Sequence, residues 1–345
     1  MAYPSLYEPG TNTTMSEPGI SASSPATVMV TGDIMLVLGM ARLLRQHGAG
    51  YPFQKVHPLL TRADVLIGNL EAPFTARDTP TPYKSVNSVR ARRDYILRAD
   101  PCWAQSLSFA GFDAVGLANN HLMDYQAGGL YDTMRILDNL GIAYAGAGRN
   151  LQEARRPATL TRKGLRIALL SYSCILPVGS AATAVRAGIA PARGSGAEEI
   201  IREDIRRARQ AADLVLVSVH WGKQLSHYPD RTQRRLGRLF IDWGADVVVG
   251  HHPHVLQGIE VYRGKVIAYS LGDFVNLSSR EETAVLYLVV RRPRAIDSAS
   301  VIPLRLRRGQ IHYADGRAWK ATLARLDRLS AQWNTRINAF GEIIL

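Results

Sequence analysis

Cysteine is nearly absent from this sequence of 345 residues: Cys102 and Cys174 are the only two. They are too few for a disulfide framework, and neither sits in a Cys-x-x-Cys pattern, so both read as core thiols. No run approaches 18 apolar residues, so no membrane span is expected. Lysine is scarce too. Six lysines (55, 84, 163, 223, 265 and 320) stand among 42 basic residues, and the net charge of +13 over 29 acidic residues is therefore carried by arginine, most densely at 90–98, 202–209 and 291–308. Such an excess suits an anionic partner. No basic stretch is interleaved with aromatics in the manner of a single-strand binding platform, so no nucleic acid partner is expected. Residues 1–26 contain no Lys or Arg and no apolar core. They lack both parts of a secretory signal and read as a disordered leader, which makes the cytoplasm the expected location.

What is present is a globular composition, 46% hydrophobic and 21% charged, able to bury a full core. Short β-branched runs at 27–31, 64–67, 114–118, 165–171, 213–219, 246–249 and 266–270 read as strands. They alternate with helical spacing at 129–140 and 198–212, a pattern that favours a layered α/β fold. Asp100-Pro101 predicts a capped helix through 108 that stops near Gly111. The Gly-bearing turn within 261–266 predicts a hairpin, hence mixed rather than wholly parallel sheets. Residues 181–196 read as a loop that borders a site. A strand at 302–306 and a helix at 319–333 follow. The chain divides into the leader, one domain over 27–290, and a segment 291–345 that packs on it.

The chemistry lies at the ends of the strands. Val28-Met29-Val30-Thr31-Gly32 leads to Asp33; Gly68-Asn69-Leu70 leads to Glu71; Leu117-Ala118-Asn119 leads to Asn120 and His121. The run 215–219 leads to His220, Gly250 to His251, His252 and His254, and Gly272 to Asp273. When strands run alike, their carboxyl ends line one crevice, so six scattered pieces converge. Carboxylates, an amide oxygen and imidazoles make a mixed oxygen and nitrogen set suited to one or two ions of Mn, Zn or Fe. Two such ions bridged by a carboxylate acidify a water and orient it for hydrolytic attack. Any one of these residues alone could be a packing histidine or a helix cap. Jointly they read as a metal site, with His252-Pro253-His254 expected to be extended and to hold both rings on one side. The glycines at 32, 68, 250 and 272 are expected to let the backbone approach a substrate. Asn69, Asn119, His251 and Trp221 read as substrate contacts or as support for the ligands. Lys84, Asp124, His227 and Asp273 are further candidate substrate contacts.

These same segments resemble the CapA family of poly-γ-glutamate capsule biosynthesis proteins, relatives of the calcineurin-like metallophosphoesterases. The resemblance runs from Gly32-Asp33-Ile34-Met35 through Gly68-Asn69-Leu70-Glu71, Asn119-Asn120-His121-Leu122-Met123-Asp124, His220-Trp221-Gly222 and Gly250-His251-His252-Pro253-His254-Val255 to Leu271-Gly272-Asp273-Phe274. It implies a four-layer αββα sandwich of the metallophosphoesterase type with mixed sheets. By position it implies that Asp33 binds a first metal, Glu71 bridges, Asn120, His220 and His252 bind a second, and His254 completes the first. His121 looks like the general acid. The sequence differs from the family pattern in three places. Met35 stands where the phosphoesterases have a histidine ligand, Lys223-Gln224 where an acidic residue is frequent, and Asp273 where Asn is common. Membrane-anchored members also carry an N-terminal hydrophobic segment that is missing here. The function implied is metal-dependent hydrolysis of an anionic substrate, a γ-glutamyl or related amide or a phosphoester. A non-catalytic polyglutamate- or peptide-binding assembly factor, or a natural-product tailoring enzyme that makes or cleaves an amide, are the alternatives.

Overall fold

The β-branched runs do form strands, and their pairing explains how distant residues meet. The computed structural model describes residues 24–37, 39–84, 86–90, 94–277, 281–291 and 295–345. Residues 1–23 of the expected leader, and 91–93 and 292–294 of two arginine-dense stretches, lie outside the described residues. Among the described residues, nine strands build one sheet and six build another. The first runs in the order Gln310–Tyr313, Ala295–Arg307, Glu282–Arg291, Ala26–Ile34, Val65–Leu70, Ala114–Gly116 and Ala143–Ala145. Its last four strands are mutually parallel, and the others pair antiparallel. Asp273–Val275 adds in parallel beside the end of Ala26–Ile34. The second sheet runs Ile259–Tyr262, Lys265–Ala268, Val247–His251, Leu214–His220, Leu165–Ser173 and Ala158–Arg162, parallel in its four central strands.

Period-two alternation divides each strand between two cores. Val28, Val30 and Ile67 join Ile167, Leu169, Leu216 and Val249 in an apolar layer between the sheets. Met29, Leu66 and Val115 instead pack with Leu107, Leu130 and Leu137 of the helices covering the first sheet. On the second sheet Leu170, Val217 and Val248 pack with Ile201, Ile205, Leu236 and Phe240. The result is four layers, helix, sheet, sheet, helix. Each fully buried Leu, Ile or Phe contributes about 1.5–3 kcal/mol.

The helices have local reasons for their limits. Gln126–Leu140 buries Leu130, Met134 and Leu137 and stops at Gly141, whose φ of 68° suits a left-handed cap. Ala197–Ala211 begins with Glu198 and Glu199 and ends near Arg209, favourable charges for its dipole. The turn after Asp100 is a short 3-10 segment, Pro101–Ala104, before the helix Gln105–Ala110 that ends at Gly111. In the expected hairpin, Arg263 and Gly264 both have positive φ (53° and 68°), as a tight turn between twisted strands requires.

Two strands escape the periodicity. Glu282–Arg291 is nearly all apolar because both of its faces are covered, so it lacks alternation. Its partner reaches well beyond the expected 302–306, over Ala295–Arg307, and the two run together along almost their whole length. The helix Arg231–Trp243 is basic but carries a complete capping box between Asp230 and Gln233. Along the tail, Gly316–Ser330 adds Leu323 and Leu326 to the inter-sheet core.

Candidate metal centre

The parallel strands of the two sheets end at the same margin of the sandwich. Asp33 lies in register with Asn69 on one side and Asp273 on the other. His251 lies in register with His220 in the facing sheet. A backbone link closes the gap, since the His252 amide donates to Asp33 Oδ2 at 3.2 Å. Within each sheet a glycine lets neighbouring backbone come close at this margin, so that what these glycines admit is protein rather than substrate. A Cβ on Gly32 would stand 2.0 Å from the Gly272 carbonyl oxygen, and one on Gly250 would stand 2.1 Å from that of Tyr269. His252 and His254 are not extended as expected: their φ values are 92° and 56°. Left-handed backbone at two bulky residues is strained and persists only where the surroundings enforce it, commonly at ligand clamps. The turn still brings the two rings together, with centroids 5.8 Å apart.

Glu71 sits between two groups of donors. Its Oε1 is 3.4 Å from His220 Nε2 and 3.8 Å from His254 Nε2. Around the first of these, Asn120 Oδ1 is 2.6 Å and His252 Nδ1 3.1 Å from His220 Nε2. Around the second, His254 Nδ1 is 2.7 Å from Asp273 Oδ1 and 3.4 Å from Asp33 Oδ2. Asp273, expected against substrate, thus belongs with Asp33 and His254. Met35 packs instead into the helix-facing apolar cluster.

Electrostatics in this cluster are those of acids and imidazoles crowded out of water. Burial pushes the Glu71 carboxyl well above its ordinary range, and the charge of Asp33 adds to this. Burial also acts to raise Asp33, but His251 and His254 outweigh it and hold that carboxyl well below its ordinary range. Burial pulls His220 well down, helped by His252, and takes His252 to about 4, helped by His254. Unlike His220 and His252, His254 moves up: burial opposes its charge, but Glu71, Asp273 and Asp33 together prevail.

The donors fit a divalent ion on one observation above all. Both oxygens of the fully buried Glu71 carboxyl lack a hydrogen-bond partner, as does His220 Nδ1. Orphaned polar atoms at such depth are costly unless a bound group satisfies them. Asn120 Oδ1, Glu71 Oε1 and His252 Nδ1 crowd within 2.6–3.4 Å of His220 Nε2, a spacing at which all four could turn lone pairs toward one cation.

Of the residues expected as substrate contacts or as support for the ligands, most are engaged by the protein itself. Trp221 is completely buried, donates its indole N–H to the Tyr269 carbonyl and stacks against Phe240 and Tyr269, so a substrate cannot reach it. Asn69 donates to Asp33 Oδ1 at 2.8 Å, and Asn119 donates to the Leu70 carbonyl while accepting from the amides of His121 and Leu122. His251 Nδ1 lies 3.0 Å from Asp33 Oδ1. These residues hold the donors in place. His227 is engaged by Arg325, whose Nη2 is 2.8 Å and 3.0 Å from its two ring nitrogens, and so anchors the loop after His220 to the tail helix.

Lys84 and Asp124 pair at 2.5 Å in the interior, and Asp124 Oδ2 is also 2.8 Å from His121 Nδ1. Burial lowers the His121 pKa; Asp124 opposes this and Lys84 adds to it. Lys84, Asp124 and Asn120 form one wall of a cavity of about 200 Å³, whose other wall includes Tyr83, Ser180 and Arg186. The loop at 181–196 does border it. Tyr83 and Ser180 carried no signal in the sequence, because neither follows a strand nor repeats a motif.

The chain matches, over residues 27–278, the family described as bacterial capsule synthesis protein PGA_cap. It is 32% identical over 289 residues to the capsule biosynthesis protein CapA of Bacillus anthracis, covering 82% of this chain and 68% of that protein. It is 36% identical over 245 residues to the PGA biosynthesis protein CapA of Bacillus subtilis strain 168, covering 71% of this chain and 61% of that protein. The chain therefore spans about two thirds of the length of these relatives. Among solved structures, the Thermus thermophilus sulfate thiohydrolase SoxB is similar at a TM-score of 0.47 and 13% identity, over 86% of this chain and 58% of that one. No helix among the described residues is long and apolar enough to cross a membrane.

Proposed function

This chain belongs to the bacterial capsule synthesis protein family PGA_cap, and from that premise we propose that it is a metal-dependent hydrolase of an anionic γ-glutamyl-type amide. The observation that carries the reading is Glu71, a buried carboxylate with two orphaned oxygens placed between two sets of donors. Asp33, Glu71 and His254 would hold one ion, and Glu71, Asn120, His220 and His252 the other. When bound, such ions supply Lewis-acid polarisation of the scissile carbonyl and lower the pKa of a coordinated water.

The chain's own residues do the rest. Asn69 and the His252 amide orient Asp33 through both of its oxygens. His121 has Nδ1 held between Asp124 Oδ2 at 2.8 Å and Lys84 Nζ at 3.2 Å, which leaves Nε2 to give a proton to the departing amine. Arg186, which lines the adjoining cavity, offers a cation to a substrate carboxylate. The relatives' names, with capsule and PGA biosynthesis in them, favour an amide over a phosphoester.

The test is turnover of γ-glutamyl peptides and of model phosphoesters by the metal-reconstituted protein. Amide cleavage that is lost in His121→Ala supports the reading. Cleavage of phosphoesters alone would replace the substrate class, and tight polyglutamate binding without any turnover would replace the enzyme by an assembly factor.

A further inference from the structure

We propose that Asp273 is a metal ligand, and that it turns the position shared with Asp33 and His254 into an oxygen-rich one that selects a hard ion such as Mn²⁺, beside a second position that takes an imidazole-preferring ion such as Zn²⁺. This rests on the reading of the cluster as a metal centre and assigns the two positions different chemistry.

Strand register is the first support. Asp273 opens a short strand that runs parallel to the end of Ala26–Ile34 with Asp33 directly beside it, fixed by the Asp33 amide donating to the Gly272 carbonyl at 3.0 Å and the Met35 amide to that of Val275 at 2.7 Å. Two carboxylates are thereby buried side by side, an arrangement that like charges resist unless a cation intervenes. The second support is convergence: His254 Nδ1 hydrogen-bonds with Asp273 Oδ1 at 2.7 Å and lies 3.4 Å from Asp33 Oδ2, and one donor atom from each of the three buried residues falls within 4.8 Å of the others. Asn276 donates to the other oxygen of Asp273 at 3.1 Å, an outer contact that orients the carboxylate. The third support is what this position lacks. The Met35 thioether, two residues after Asp33, is packed among apolar side chains and gives the position no donor.

Counting donors then separates the two positions. Asp33, Asp273 and Glu71 with His254 offer three carboxylates and one imidazole. Glu71 and Asn120 with His220 and His252 offer one carboxylate, one amide oxygen and two imidazoles. Carboxylates suit Mg²⁺ and Mn²⁺, whereas imidazoles suit Zn²⁺ and Fe²⁺. An Asn at 273 would keep an oxygen but remove a formal negative charge, so the acid matters to the ion and not only to the shape.

The full chain, stripped of metal, is loaded with one equivalent of Zn²⁺ and an excess of Mn²⁺, desalted, and read by elemental analysis and by Mn²⁺ electron paramagnetic resonance. The expected result is one zinc and one magnetically isolated manganese per chain. In Asp273→Asn, manganese affinity falls by about tenfold or more while zinc is retained, and Asp273→Glu recovers part of the loss. In His220→Asn, zinc falls and manganese stays. Manganese retention indifferent to Asp273→Asn overturns this inference and leaves the metal centre standing; wild-type protein that binds no metal of any kind overturns the metal centre and this inference with it. Should Asp273→Asn not fold, the wild-type loading decides alone: zinc loss on adding excess Mn²⁺, or no manganese retained, rejects the division of the two positions.

Discussion

The two sheets contribute opposite halves of the same chemistry. The first sheet and the segments next to it supply the oxygen donors, Asp33, Glu71, Asn120 and Asp273. The second sheet and the turn after its strand Val247–His251 supply the nitrogen donors, His220, His252 and His254. Neither sheet alone makes a site. The donors meet only because the inter-sheet core of Val28, Val30, Ile67, Leu169, Leu216 and Val249 holds the layers in place. An ion at this margin would be a clasp between the sheets as well as a reagent, so metal content and sheet packing should respond together.

The most severe way to break this arrangement is to remove the nitrogen donor at its centre. His220→Ala strips Glu71 Oε1 and Asn120 Oδ1 of their shared neighbour. Elemental analysis should find the imidazole-rich position empty, and turnover should fall to background. Retained metal with full activity would place the ligands elsewhere. His121→Ala keeps every proposed donor and removes the proton carrier, so turnover should drop by about 10²- to 10⁴-fold with metal content nearly unchanged. Metal loss in that variant would recast His121 as a ligand.

Trp221 sharpens the comparison from the side of packing. It lies next in sequence to His220 yet sits wholly in the helix-facing core of the second sheet. Trp221→Ala should cost about 3–5 kcal/mol in urea unfolding. A raised KM at unchanged stability would mean that it touches substrate after all. The smallest effect is expected at the opposite margin of the sandwich. There Asp64, beside the first sheet, accepts from the Thr27 amide at 2.8 Å and pairs at 3.0 Å with Lys163 in a turn of the second sheet. Burial acts to raise the Asp64 pKa, but the Thr27 hydrogen bonds and Lys163 lower it overall. A depressed carboxylate stabilises the fold above its unfolded pKa, and the contribution is lost as pH falls through the folded value. Asp64→Asn should therefore lower Tm modestly at pH 7, with the difference fading below about pH 4. A difference that persists at pH 2 would show that charge is not the cause.

Much of the candidate site was legible because the ligand types sit at strand ends, where β-branched runs mark position and a following Asp, Asn or His has no packing reason to recur. Asp33, Glu71, Asn120, His220, His252 and His254 all carry that signature, and the structure gathers them. Sequence position could not distinguish a residue pointing into the crevice from one pointing away. Trp221 follows His220 as closely as His121 follows Asn120, but strand alternation sends it to the other face of the sheet. Asp273 follows Gly272 at a strand end like the others, but its place beside Asp33 was not legible, because parallel register between Ala26–Ile34 and Asp273–Val275, separated by more than two hundred residues, has no local trace. The layered α/β class was legible from alternating elements. Glu282–Arg291 was not, since burial on both faces removes the period by which a strand is recognised.

The central claim is that a divalent ion joins the two sheets at this margin. Thermal unfolding of the metal-stripped chain, with Mn²⁺ or Zn²⁺ added in steps and bound metal measured in parallel, tests it most directly. The account predicts bound metal and a Tm that climbs with ion concentration, worth about 4 kcal/mol at a thousandfold excess over Kd. A Tm indifferent to both ions, with no metal retained after reconstitution, would contradict it.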